Sequence, residues 1–217
     1  MNKLDLKRIT AVCIDGRDLS NDLINSYRVL FNHMLSVANF HDLVFVSRNG
    51  IEHTGVKNII IPGFDIGGYS SYCVKELNNI VDSDFCLVFQ LDGFILNPDL
   101  WDERFYDYDY IGAPWPIHFG GWVNEGRQVG NGGFSLRSKK LLGVTQDLPD
   151  TSNHEDTYIV FEKRDILDEN DIKIAPLEIA VKFSVENAID DSHNIDTCFG
   201  FHSKSLLIDV LKNKIIR

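Results

Sequence analysis

Phe85-Cys86-Leu87-Val88-Phe89-Gln90-Leu91-Asp92-Gly93-Phe94 is the stretch that decides the fold. An unbroken apolar run without a polar alternate face describes a strand buried on both sides, the kind found in a parallel sheet covered by helices. The strand spans Phe85 to Gln90, and a carboxylate and a glycine follow at its carboxyl end. In open α/β sheets that is the edge where ligands bind. Asp92 has two readings there. It is a turn residue paired with glycine, or it is an oxygen donor for a hard divalent cation, with Gly93 leaving room for a ligand to approach the backbone.

Toward the N-terminus, strand and helix patterns alternate. Ile9 to Ile14 is a β-branched apolar run ended by Asp15-Gly16, a second ligand edge of the same kind. Asn21 to Ala38 carries apolar residues at helical spacing and can be capped by Ser20 or Asn21. Leu43 to Val46 and Asn58 to Ile61 are two further strands, and Tyr69 to Val81 is a second helix. The order β-α-β-β-α-β predicts an α/β sheet with parallel crossovers.

Toward the C-terminus the pattern is less regular. Asp99 to Pro116 is crowded with aromatic and acidic residues, and Phe119 to Gly133 holds six glycines. Phe134 to Leu136 is a short strand, Glu155 to Lys163 opens a helix, Ile172 to Phe183 holds a strand and a short helix, and Ser205 to Leu211 forms a final helix. No repeat, low-complexity tract or linker divides the chain. Its 217 residues suffice for one domain with a buried core.

The net charge of -11 argues against general nucleic-acid binding, which rests on Lys and Arg neutralising phosphates. It leaves open a small anion held through a bound cation. The four cysteines form no CxxC pair, which removes a zinc ribbon or thioredoxin motif and leaves free thiols of a reducing compartment. Met1 to Thr10 lacks the apolar core of a signal peptide, and no apolar run approaches the roughly 20 residues of a membrane span. A cytoplasmic protein without a transmembrane segment is expected.

Three other stretches carry chemistry. Val129-Gly130-Asn131-Gly132-Gly133-Phe134-Ser135-Leu136-Arg137-Ser138 is either a hairpin turn or a surface where backbone amides meet a sugar or phosphate. It lacks the GK[ST] of a P-loop and the GxGxxG of a dinucleotide fold. Asn153-His154-Glu155-Asp156 places two carboxylates at a helix start, as dipole complements or as a general base. Phe199-Gly200-Phe201-His202 sets a lone histidine among aromatics, structural or metal-ligating. Arg127 and Arg137 suit phosphate or surface ion pairs. Tyr106, Tyr108, Tyr110, Trp115, Phe119 and Trp122 divide between core packing and a sugar-stacking platform.

In this order, Gln90 to Phe94 with Asn97-Pro98 and Trp101, Tyr108 to Pro116 (YDYIGAPWP), Gly130 to Ser138 (GNGGFSLRS), Glu155-Asp156, and Phe199 to His202 (FGFH) resemble the bacterial DUF5672 glycosyltransferase-like family. The resemblance runs from about Phe85 to His202. More distantly, the glycine strand followed by an acidic pair resembles the β-1,4-galactosyltransferase type. The resemblance implies a GT-A-like single domain with a Rossmann-like, mostly parallel sheet flanked by helices. Residues 1–98 would form the nucleotide-binding half and 99–217 the acceptor-facing half.

It further implies a transferase, inverting in the leading reading with retention also open, that moves a hexose, galactose first, from a UDP-sugar to a glycan or lipid-linked glycan acceptor in bacterial surface polysaccharide (O-antigen) biosynthesis. Peripheral contact with a membrane-bound assembly complex goes with that role. Asp156 is then the base, with Glu155 as neighbour or substitute. Asp92 and His202 hold Mn2+ or Mg2+. Asp15, Gly16, Arg17, Arg48, Gln90, Asp92, Gly93, Gly132, Gly133 and Phe134 line the donor, and Trp115 and Trp122 the acceptor. One position departs from the type: Gln90 stands where the DxD motif has its first Asp, which removes a charge from the cation site. A non-catalytic glycan- or nucleotide-sugar-binding protein with the same fold is the competing expectation. A nucleotidyltransferase fits poorly, since Cys13-Ile14-Asp15-Gly16-Arg17 is not a glycine-rich triphosphate loop.

Overall fold

The structure is a computed structural model that describes residues 3–117, 119–121, 123–124 and 126–213. Strand β1 (Leu4–Asp15) leads through helix α1 (Asn21–Val37) directly into β2 (Ala38–Ser47), followed by β3 (Lys57–Ile60). Helices α2 (Ile66–Lys75) and α3 (Leu77–Ile80) then cross to β4 (Phe85–Phe89), buried at every residue. Strands β5 (Tyr110–Ile111) and β6 (Ser135–Ser138) come from the second half of the chain. All six form one sheet in the order β3-β2-β1-β4-β6-β5. The first four strands run parallel, and β6 returns antiparallel between β4 and β5. The expected α/β class, with a mostly parallel sheet flanked by helices, is what the chain forms.

The burial on both faces predicted for β4 follows from helices on each side. Leu87 and Phe89 point into a core with Phe31, Phe45 and Phe134, while Cys86 and Val88 point into another with Cys73 and Leu77 of α2 and α3. α1 is started by the Ser20 hydroxyl, which accepts from the Leu23 N–H, and it buries Tyr27, Leu30, Phe31 and Met34.

The remaining elements are α4 (Lys139–Thr145), α5 (Glu155–Thr157), α6 (Arg164–Glu169), α7 (Leu177–Phe183), β7 (Ser184–Val185), β8 (Gly200–Phe201) and α8 (Lys204–Asn213). Several boundaries differ from expectation. The helix expected over Tyr69 to Val81 starts earlier, because Asp65 caps it through the Gly68 N–H, and it breaks at Glu76. The helix expected from Glu155 to Lys163 widens into a π-helical turn over Tyr158–Glu162. The strand expected near Ile172 reduces to one bridge between Tyr110 and Ile174. α4 was not foreseen. Ser138 caps it by accepting from the Leu141 N–H.

Phe134 is fully buried, stacked on Phe183 at 5.2 Å between ring centroids and close to Phe199. Its ring is therefore part of the core and not a wall for a donor sugar, because the glycine run bends into β6 with this residue facing inward. Phe134→Ala is expected to lower the unfolding free energy by about 3–5 kcal/mol in denaturant titration. A change below about 1 kcal/mol would mean that the ring is not packed as described.

Candidate active site

Parallel pairing of β1 with β4, with Cys13 opposite Phe89, brings Asp15-Gly16 and Gln90 to Asp92 to the same end of the sheet. A cavity of about 580 Å³ opens there. Its walls come from the ends of β1 and β4, the start of α2, the glycine run before β6, the start of α5 and the start of α8.

At the end of β1, Asp15 is buried and its carboxylate is fully engaged. Oδ1 accepts from the Arg17 backbone N–H and Nε at 2.9 Å each, while Oδ2 accepts from Arg17 Nη2 at 2.7 Å and the Tyr27 hydroxyl at 2.6 Å. Burial pushes the Asp15 carboxyl up, but the bonds from Arg17 and Tyr27 outweigh it and hold it below its ordinary value. Asp15 thus aims Arg17 at the cavity and has little capacity left for a ligand. Gly16 is pressed by the Phe64 ring, and its carbonyl accepts from the Phe64 N–H at 3.3 Å.

At the end of β4, Gln90 and Gly93 close a tight turn with reciprocal backbone bonds of 2.8 and 3.1 Å. The Asp92 carbonyl accepts from the Ser203 N–H at 2.7 Å, which fastens the start of α8 to this turn and delivers His202. His202 Nε2 lies 3.2 Å from Gln90 Oε1 and 3.9 Å from Asp92 Oδ1. Its Nδ1 lies 3.4 Å from Glu186 Oε1, close enough for charge attraction though not aligned as a hydrogen bond. Gln90 is oriented by its own Nε2, which donates to the Tyr69 hydroxyl at 2.8 Å. Burial pulls the His202 pKa down, but the carboxylates of Glu186 and Asp92 outweigh it and raise it above 6.5.

A nitrogen facing two acceptor oxygens calls for a proton or a cation between them. One carboxylate, one amide oxygen and one imidazole suit a hard or borderline cation such as Mg2+ or Mn2+, and Glu186 behind the ring resembles the outer carboxylate that orients metal-bound histidines. The residues present therefore fit such an ion. Among the described residues no cluster of three or more His, Cys, Asp or Glu side chains assembles a metal site by itself. The third donor would be the Gln90 amide.

The opposite wall rests on a buried charge. Arg137 is fully buried, and its Nη2 pairs with Glu155 Oε1 at 3.1 Å, Glu155 itself being 5% exposed. Arg137 is thus neither a surface ion pair nor a free phosphate ligand. Of the two adjacent carboxylates, Glu155 neutralises Arg137. Asp156 is half-buried, its Oδ2 accepting from the Gly132 N–H at 3.1 Å and its Oδ1 from the Thr157 N–H at 2.7 Å. Burial, and then the Glu155 charge, raise the Asp156 pKa from 3.8 to about 6. That value suits a group that exchanges a proton near neutrality.

The glycine run is shaped by what presses on it. A side chain at Gly130 would collide with Trp115 and Val160, one at Gly132 with Glu155, and one at Gly133 with His202. The Tyr110 hydroxyl also holds the Gly130 carbonyl at 2.7 Å. The glycines are needed for packing first. Of Gly132 and Gly133, only Gly133 lines the cavity.

The structure brings Asp15, Gly16, Arg17, Gln90, Asp92, Gly133, Glu155, Asp156 and His202 to this one cavity. Gly93 lies just behind it, against His202. Arg48 is outside it, paired with Asp18 at 2.8 Å. Trp115 is only 3% exposed and packs in a separate core cluster with Tyr158 and Val160, so its indole is core and not an acceptor platform. Trp122 lies outside the described residues. Sequence reasoning passed over Tyr69, Asn131, Glu186 and Lys204. Asn131 stood inside the quoted glycine run and Lys204 two residues after His202. Glu186 and Tyr69 carried no local signal, since their positions depend on the folded chain.

Residues 63–202, more than half of the chain, match the family described as "Protein of unknown function (DUF5672)". The chain belongs to that family. No curated protein matches it. Among solved structures, it is similar to the galactosyltransferase LgtC in complex with donor and acceptor sugar analogues, at 12% identity over 92% of this chain and 87% of that one, with a TM-score of 0.49. An active-site mutant of LgtC gives 12% identity, 92% and 87% coverage, and a TM-score of 0.48. Protein A197 from STIV gives 11% identity, 77% and 80% coverage, and a TM-score of 0.44.

The raised pKa of Asp156 has a sign for stability. Folding favours its protonated form, so this contribution is fully present below the ordinary value of 3.8 and is lost as pH rises through about 6. Asp156→Asn removes that dependence. The melting temperature of wild type relative to Asp156→Asn is therefore expected to fall between about pH 4 and pH 7. A constant difference across that range would contradict a raised Asp156 pKa.

Proposed function

We propose that this DUF5672 protein is a GT-A-type glycosyltransferase that moves a hexose from a UDP-sugar to a glycan acceptor with the aid of Mn2+ or Mg2+. The observation that carries this reading is the convergence, across one cavity, of a poised carboxylate (Asp156) and a potential cation site (Gln90, Asp92 and His202). The charge balance supports it. Asp15 is matched by Arg17 and Glu155 by Arg137, which leaves Asp65, Asp92 and Asp156 facing Lys204, His154 and His202. A diphosphate enters so acidic a cavity most readily together with a divalent cation.

The donor would lie with its nucleoside toward Arg17 and Phe64 and its diphosphate toward His202 and Lys204 at the amino end of α8, where the helix dipole favours an anion. Asp156 takes the proton from the acceptor hydroxyl. The acceptor oxygen then bonds to the anomeric carbon while the bond to the diphosphate breaks on the opposite face, which inverts that carbon. A bound divalent cation would neutralise charge on the departing diphosphate. Gln90 and His202 fix the place of that charge, and the Arg137–Glu155 pair fixes Asp156. Galactose as the sugar, a surface polysaccharide or lipid-linked glycan as the acceptor, and a cytoplasmic setting belong to the same proposal. No helix among the described residues is long and apolar enough to cross a membrane.

The test is nucleotide release from a panel of UDP-, GDP- and CMP-sugars, with Mn2+ or with EDTA. Release of UDP from one donor is expected, lost with EDTA and in Asp92→Ala. Asp156→Asn should lower turnover by about 10²–10⁴-fold while retaining UDP binding. In wild type the rate should rise with pH through about 6, as Asp156 loses its proton. Binding of UDP-sugars without turnover, even with glycan acceptors supplied, would instead favour a binding protein, to which the missing carboxylate at Gln90 also lends weight.

A further inference from the structure

We propose that the side-chain amide of Asn131 reads the hydroxyls of the transferred sugar. The inference rests on the glycosyltransferase reading above and extends it to one residue that chooses the hexose.

Asn131 carries the only side chain in the run Gly130-Asn131-Gly132-Gly133. Its backbone is held firmly: its N–H donates to the Ala113 carbonyl at 3.2 Å, and its own carbonyl packs where a side chain at Gly112 would be. The residue lines the cavity, is 4% exposed, and its Oδ1 is buried without a hydrogen-bond partner among the described residues. Buried amides are nearly always paired, and an unpaired one is costly. A turn of the side chain about χ2 brings this unpaired amide to the cavity, where a polar group that enters can pair with it.

Its neighbours indicate which part of the ligand that is. The next residue, Gly132, donates its N–H to Asp156, and Gly133 packs against His202. Asn131 therefore lines the cavity next to the two glycines that join the proposed base to the proposed cation site, beside the place where the sugar must lie for its anomeric carbon to face both acceptor and diphosphate. An amide offers an acceptor and donors side by side, which matches two neighbouring hydroxyls of a hexose. A nucleobase or a phosphate would be met elsewhere, at Phe64 or at Lys204.

The experiment compares wild type, Asn131→Ala and Asn131→Ser by calorimetric titration with UDP, UDP-galactose, UDP-glucose and UDP-N-acetylglucosamine in Mn2+, with thermal melting alongside. Wild type should bind one sugar nucleotide more tightly than UDP. Both variants should bind that compound about tenfold more weakly while binding UDP unchanged. Both should melt at or above the wild-type temperature, because the amide makes no hydrogen bond to another described residue. Equal loss for UDP and sugar nucleotides, no loss for either, no wild-type preference for any sugar nucleotide over UDP, or a clearly lower melting temperature would each overturn the inference. Failure of wild type to bind UDP at all would remove the glycosyltransferase reading and this inference with it, an outcome distinct from retained UDP binding without an Asn131 effect.

Discussion

Everything on the wall built by the glycine run and α5 depends on one buried ion pair. Arg137 reaches from β6 into a space with no solvent contact, where a lone charge would be untenable. Glu155 answers it from the start of α5. The pair fastens the glycine run to α5, since Arg137 Nε donates to the Ser135 hydroxyl and that hydroxyl donates to the Gly132 carbonyl. Removing one partner of such a pair commonly costs about 3–5 kcal/mol, because the other charge is left buried. That penalty locks the two segments at fixed separation.

The same pair distinguishes two neighbouring carboxylates. Glu155 is committed to Arg137, and its negative charge adds to burial in keeping Asp156 reluctant to ionise. Two adjacent acids thus acquire separate duties from environment alone. On the facing wall, Glu186 and Tyr69 do comparable work at a distance. Glu186 holds one side of the His202 ring, and Tyr69 turns the Gln90 oxygen toward the other. Rigid supports around a few polar groups are what a site needs if its geometry is to persist before a ligand arrives.

Much of the fold was legible in the sequence because it rests on local pattern. The apolar run at Phe85 to Phe89 and the helical spacing of Tyr27, Leu30, Phe31 and Met34 are direct consequences of burial on one or both faces. The cavity at one end of the sheet followed from Asp15-Gly16 and Asp92-Gly93 closing neighbouring parallel strands. What escaped depends on contacts between distant residues. Nothing local distinguishes Phe134 as core, because its direction is set by how β6 packs on Phe183 and Phe199. Trp115 sits in a glycine- and proline-rich segment that resembles an exposed loop, yet the Pro114–Val129 bridge and its packing on Gly130 bury it. Arg137 carries no local sign of burial, because the Glu155 that meets it stands eighteen residues later. The glycines have the pattern of a ligand surface, while the structure ties them first to Trp115, Glu155 and His202.

The proposed function requires this acidic cavity to take a nucleoside diphosphate through a divalent cation held at Gln90, Asp92 and His202. Calorimetric titration of UDP into the protein, in Mn2+ and again in EDTA, tests it most directly. Saturable binding at one site in Mn2+, loss of that binding in EDTA, and the same loss in His202→Ala with Mn2+ present are expected. Binding of equal strength with and without the metal, or none in either condition, would contradict it.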